Sequence, residues 1–129
     1  MGISFNHTIV AAKNRAESAN YFTELFGLPP AREFGPFLAV TLEHGASLDF
    51  AEAPPDQEIH PQHYAFLVDE ADFDAIYGRI LERGQQHWAD PRGEGVNAIN
   101  HHDGGRGVYF QDPAGHYLEI ITRPYGSGG

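Results

Sequence analysis

The sequence writes one pattern twice. "NHTIVAA" (6–12) and "QHYAFLV" (62–68) are short runs of β-branched, aromatic and small apolar residues, each headed by a histidine, and His7 and His63 stand 56 residues apart. Each run is followed by a helical stretch and then by further strands. A spacing of this size fits one supersecondary unit, copied. Neither copy is long enough to bury a sheet face alone, so the two must share a core.

The rest of the chain fills in that plan. Asn14 and Glu17 form a capping-box pair, and Ala19, Phe22 and Phe26 recur at helical spacing, which predicts a helix over 15–26. Gly27 is placed to stop it, and Pro29 and Pro30 keep it from resuming. "PFLAVTLE" (36–43) and "ASLDFAEA" (46–53) read as strands joined by a tight turn at His44-Gly45. "PPDQEIHP" (54–61) is a polar, proline-rich linker. "EADFDAIYGRILERG" (70–84) predicts the second helix, with Phe73, Ile76, Tyr77, Ile80 and Leu81 on its inner face and Gly84 at its end. A short strand is expected near "QQHWA" (85–89), then a hairpin of 107–111 and 116–122 through "DPAG". "DPRGEGVNAINHHDGGRG" (90–107) fits no element, and a structureless loop of that length inside a small domain is functional or disordered. The expectation is one α+β domain over 1–129: module one at 1–53, the linker at 54–61, module two at 62–125 and a flexible tail at 126–129, with a curved, mixed eight-stranded sheet and helices outside.

Composition narrows the function classes. With Lys+Arg at 8 and Asp+Glu at 18 the net charge is −10, and such a surface repels a phosphate backbone, so nucleic acid is excluded as a natural partner. No apolar run is long enough to span a membrane, and no secretory signal is visible, so a cytoplasmic protein with no membrane partner is expected. The absence of cysteine removes disulfides, thiolate ligands and a thiol nucleophile. Eight histidines in 129 residues direct attention to metal ligation.

Strand parity sorts the candidate ligands. In "ASLDFAEA", Leu48 and Phe50 share one face and Asp49 points the other way with Ser47 and Ala51. In "HYLEIIT", Glu119 lies with Tyr117 and Ile121, between Leu118 and Ile120, where a carboxylate is costly unless paired or coordinated. Each copy therefore offers a histidine at its first strand and a carboxylate at its last: His7 and Asp49, then His63 and Glu119. Two imidazoles and two carboxylates suit one divalent ion, and nickel, cobalt, zinc, manganese and iron all accept such ligands. Two of six coordination positions would stay open for water or a substrate binding through two oxygens.

"QHYAFLV" and "FQDPAGHYLEII", with "NHTIVAA" and "LEIITRP" at the ends, resemble the vicinal oxygen chelate superfamily, which holds glyoxalase I, the bleomycin-resistance proteins, fosfomycin-modifying transferases and extradiol dioxygenases. The resemblance implies paired βαβββ modules forming a cupped sheet around a metal, often in a homodimer whose sites draw on both chains. It makes His7, His63 and Glu119 metal ligands and puts Asp49 where glyoxalase I carries a glutamate, to bind directly, through water, or as a base. It also separates the subfamilies. Glyoxalase I carries an arginine where this chain has Ala11; fosfomycin transferases carry a threonine at Ile9 and a lysine at Ala89; extradiol dioxygenases use two histidines and one glutamate. The implied function is a glyoxalase- or dioxygenase-like metal enzyme acting on a small oxygenated substrate, with Glu119 or Asp49 as base. The alternative is a bleomycin-resistance-type protein that binds an antibiotic or other natural product without turnover. Phe37, Trp88, Tyr109 and Tyr117 would supply stacking surfaces, and His101, His102 and Arg106 would meet an anionic or oxygenated group.

Overall fold

The computed structural model describes residues 2–127, so Gly128 and Gly129 of the expected tail lie outside the described residues. The chain divides into two compact units, Met1–His60 and Pro61–Gly129, with the boundary at the end of the expected linker. The order in the first is β1 (His7–Ala12), α1 (Arg15–Phe26), β2 (Arg32–Phe34), β3 (Phe37–Thr41) and β4 (Ser47–Glu52). The second has β5 (His63–Leu67), α2 (Glu70–Glu82), β6 (Gly107–Gln111) and β7 (Tyr117–Ile121). Each unit has its own mixed sheet, ordered β1-β4-β3-β2 in the first and β5-β7-β6 in the second.

In the first unit, α1 begins where Asn14 Oδ1 accepts the Glu17 amide at 3.0 Å, and it ends at Gly27, whose φ of 70° only glycine takes without cost. Its inner side buries Ala19, Phe22 and Leu25, and Phe22 stacks on Phe26 at 4.1 Å and leans on Phe50 of β4 at 6.1 Å. Leu48 and Phe50 are buried, as parity required of the face turned to the helix. β2 escapes the sequence pattern because its three residues are all exposed and show no alternation.

The second unit repeats the plan. Asp69 caps α2, accepting the Asp72 amide at 2.7 Å. Phe73, Ile76 and Ile80 are buried from the helix side, and Val108, Phe110, Leu118 and Ile120 from the sheet. Leu81, expected on the inner face, is 55% exposed, while Tyr77 is half-buried and meets His87 Nε2 through its hydroxyl at 3.0 Å. The "DPAG" turn closes as expected: Asp112 Oδ1 accepts the Ala114 and His116 amides at 3.0 and 2.9 Å.

The expected α+β fold of two tandem modules stands, with two departures in its strands. Seven strands form among the described residues, in two sheets, and not one eight-stranded sheet. The strand expected at 85–89 shrinks to Trp88, which exchanges both backbone hydrogen bonds with Tyr109 at 2.8 Å. Its neighbours are engaged by their own loop: the Asn97 amide donates to His87 O at 2.6 Å and the Ala89 amide to Gly95 O at 3.0 Å. For the same reason 90–107 is not structureless. Asn100 pairs its backbone with Gly107 and donates from its side chain to Ala89 O at 2.8 Å, tying the two ends of the loop together.

Candidate metal centre and cleft

In a sheet, residues paired across neighbouring strands share a face. In the second unit the register pairs His63 with Tyr117, Ala65 with Glu119, Tyr109 with Glu119 and Gln111 with Tyr117. One face therefore carries His63, Tyr109, Gln111, Tyr117 and Glu119. Glu119 is 1% exposed, and its carboxylate is shared between two partners: Oε1 stands 2.9 Å from His63 Nε2, and Oε2 accepts the Tyr125 hydroxyl. Tyr125 in turn meets the Tyr109 hydroxyl at 2.7 Å. Because Tyr125 gives its proton to Glu119, Tyr109 donates to Tyr125, and the three form a directed chain ending on the carboxylate. Burial above all pushes both phenols above their usual range, aided in each by the Glu119 carboxylate, so both remain donors at neutral pH.

The first unit carries the same register. β1 pairs with β4 in parallel, His7 against Ser47 and Ile9 against Asp49. The carboxylate thus stands two residues beyond the histidine's partner, as Glu119 stands two beyond Tyr117. Histidine and carboxylate are diagonal neighbours on one face in both units. His7 Nδ1 lies 2.6 Å from Asn6 Oδ1, an acceptor that an Nδ1 proton would serve, which would leave Nε2 to a metal. Asp49 is buried, and its Oδ1 accepts the Ser47 hydroxyl at 2.7 Å.

These donors fit a metal. Two cis ligands about 2.1 Å from one ion stand about 3.0 Å apart. His63 Nε2 and Glu119 Oε1 are 2.9 Å apart, so an ion can replace the proton they share without moving either strand. Of the expected ligands, His63 and Glu119 stand within hydrogen-bond reach of each other, and among the described residues no group of three or more ligating side chains comes together, so the expected four-ligand set is not assembled.

Beside this face lies a cleft of about 360 Å³ lined by Trp88, Asp90, Pro91, Arg92, Gly93, Tyr109, Gln111 and Tyr117. Trp88, Tyr109 and Tyr117 are three of the four aromatic residues expected to stack on a ligand. The fourth, Phe37, lies in the other unit, half-buried and opposite Phe34 in the β2–β3 hairpin. His101 and His102 are exposed and do not line the cleft; the His102 amide donates to Asn100 Oδ1 at 3.2 Å. Arg106 faces α2: Nη2 lies 2.8 Å from Glu70 and Nη1 2.8 Å from Asp74, and the guanidinium sits 4.4 Å over the Phe73 ring. Its donors are committed to the helix, and its side chain does not line the cleft. Sequence reasoning missed Tyr125, Arg92 and Gln111. Arg92 had a local signal in the turn-forming "DPRG", where Asp90 Oδ1 accepts its amide at 2.8 Å. Tyr125 had none.

Residues 4–120 match the Glyoxalase/Bleomycin resistance protein/Dioxygenase superfamily. The chain belongs to this superfamily. Over 121 residues it is 31% identical to the glutathione transferase FosA of Serratia marcescens, covering 91% of this chain and 79% of that one. Two solved structures are more similar. Oxidase ChaP-H2 is 53% identical, with a TM-score of 0.95 over 100% of both chains; oxidase ChaP-H1 is 50% identical, with a TM-score of 0.93 over 97% of this chain and 99% of that one. These relatives carry enzyme names. No helix among the described residues is long and apolar enough to cross a membrane.

Proposed function

We propose that the protein is a metal-dependent oxidase or dioxygenase acting on a small, flat, oxygenated substrate that presents two neighbouring oxygens. The observation that carries this reading is the repeated diagonal pair: His7 with Asp49 and His63 with Glu119, in the same register on the same face of each unit. The two pairs together would bring three ligands, His7, His63 and Glu119, to one divalent ion, with Asp49 beside it. The functional unit is a homodimer whose sites draw on both chains, as the family resemblance implies. Likeness to the two oxidases over nearly the full chain supports oxygen chemistry above the transferase activity of the more distant FosA.

The bound ion would supply a Lewis acid with open positions for the substrate's two oxygens. The chain's own residues do the rest. His7, His63 and Glu119 would hold the ion. Asp49, held by Ser47 through Oδ1, is a methylene shorter than a glutamate, stands off the ion, and takes the proton that a substrate hydroxyl loses on binding. Trp88, Tyr109 and Tyr117 stack on the flat body of the substrate, and Arg92 meets its anionic rim. The aromatic cleft also supports a second reading, sequestration of a flat natural product without turnover.

The test is anaerobic reconstitution with iron(II) or manganese(II), followed by oxygen-electrode measurements with catechols and hydroxyquinones as probes. Oxygen uptake that is lost in His63→Ala and Glu119→Gln is expected. Tight probe binding with no oxygen uptake in any metal form overturns the oxidase reading in favour of sequestration.

A further inference from the structure

The last described residues run back toward the Glu119 carboxylate. We propose that residues 123–127 act as a strap in which Tyr125 is a positioning residue for Glu119: it holds Oε2 so that only Oε1 is presented to a metal. This inference rests on Glu119 being a ligand. The Tyr125 ring is 54% exposed, so packing alone does not place it. Its hydroxyl is placed from both sides, donating to Glu119 Oε2 and accepting from Tyr109. The backbone that carries it is anchored to the 90–107 loop. The Gly126 amide donates to Asp103 Oδ2 at 3.1 Å, the Thr122 amide donates to Arg106 O at 3.0 Å, and the Arg106 amide donates to the Thr122 hydroxyl at 2.8 Å. Asp103 itself sits in the left-handed region at φ 56°, a conformation that aspartate tolerates better than most residues.

The consequence for a metal is specific. A carboxylate free to rotate can bind through one oxygen or both. One whose second oxygen is capped by a phenol binds through the first, and it leaves one more coordination position for substrate. The strap therefore links the glycine-rich loop to the number of open positions at the ion, through Asp103, Gly126, Tyr125 and Glu119 in turn. Outer hydrogen-bond partners of this kind typically alter metal affinity by 10–100-fold when removed.

The experiment is a cobalt(II) titration of the metal-free full-length protein, followed by calorimetry and by the visible spectrum, with Tyr125→Phe, Asp103→Ala and Glu119→Gln. Tyr125→Phe keeps the exposed ring and removes only the hydroxyl, so the variant should stay folded, with a urea midpoint lowered by the loss of that hydroxyl's two hydrogen bonds. The expected result is a roughly tenfold or greater loss of cobalt affinity and an altered visible spectrum in Tyr125→Phe. Asp103→Ala should shift both in the same direction but less. If Glu119→Gln abolishes binding while Tyr125→Phe and Asp103→Ala stay within about twofold with unchanged spectra, the strap is refuted and the metal site stands. If Glu119→Gln binds cobalt like wild type, the metal site falls and the strap falls with it.

Discussion

Replacing Glu119 by leucine in the metal-free protein should leave stability nearly unchanged, although Glu119 is among the most buried residues in the chain. Removing one member of a buried ion pair ordinarily costs about 3–5 kcal/mol, because the other charge is stranded. Here the partners are not stranded. The His63 side chain is 47% exposed and Tyr125 is 54% exposed, so both can turn to water. Two hydrogen bonds are lost, each contributing about 1–2 kcal/mol net with a charged acceptor. Against this, a carboxylate no longer has to be held out of water, and a leucine of similar size takes its place on the face shared with Ala65, Tyr109 and Tyr117. The terms nearly cancel, and the net change should lie within about 1 kcal/mol of zero. Ile120→Ala, one residue along and facing the core, should cost about 2–5 kcal/mol. Urea unfolding in the presence of chelator gives both numbers from midpoint and slope. If Glu119→Leu costs as much as Ile120→Ala, Glu119 is part of the architecture, and its burial is no sign of function.

Further outcomes follow from the same structure. Arg106→Ala should lower stability by about 1–2 kcal/mol, from weak exposed ion pairs to Glu70 and Asp74 plus the cation–π contact with Phe73, and leave probe binding in the cleft unchanged. Altered probe affinity at unchanged stability would restore it as a substrate contact. Gly95→Ala puts a Cβ 2.8 Å from Ala89 Cβ at a φ of +65°, so it should cost about 1–2 kcal/mol for the backbone alone and weaken cleft binding by distorting the Asp90–Gly93 wall; a variant as stable as wild type would mean that the loop gives easily. Burial holds the Asp112 carboxyl above its ordinary 3.8. Its contribution is then fully present below that value and is lost as pH rises through the folded-state value. Asp112→Asn keeps an acceptor for the Ala114 and His116 amides, so its stability relative to wild type should improve as pH rises from about 4 toward neutrality. A difference that is flat in pH, or of opposite slope, refutes the assignment.

What the sequence revealed and what it hid follow from the range of the interactions. α1 was legible to the residue because its start and stop are local: an asparagine cap three residues from its donor and a glycine in the left-handed region. The faces of β4 and β7 were legible because alternation is local too, and it put Asp49 and Glu119 opposite the helix-facing residues. The exposed β2 has no alternation to read, and the 85–89 strand was lost to hydrogen bonds from its own loop, which composition does not announce. Leu81 satisfied the helical period and still came out exposed, because the period sets a stripe and not how far the neighbouring sheet extends. The Tyr109–Tyr125–Glu119 chain joins residues from β6, β7 and the segment beyond β7 through side-chain oxygens alone. No spacing rule connects them. Arg106, which composition offered to a substrate, went to the nearest carboxylates on α2.

The central claim is that two histidine–carboxylate pairs, one from each copy of the repeated unit, serve one metal. Metal stoichiometry and affinity of the full-length protein, stripped by chelator and titrated with cobalt(II) or iron(II), test it most directly when wild type is compared with His7→Ala and His63→Ala. The account predicts one tightly bound ion per chain in wild type and a loss of about 100-fold or more in each variant, equally for the two copies. Binding that survives either substitution, or a folded wild-type protein with no affinity for any of these metals, would contradict it.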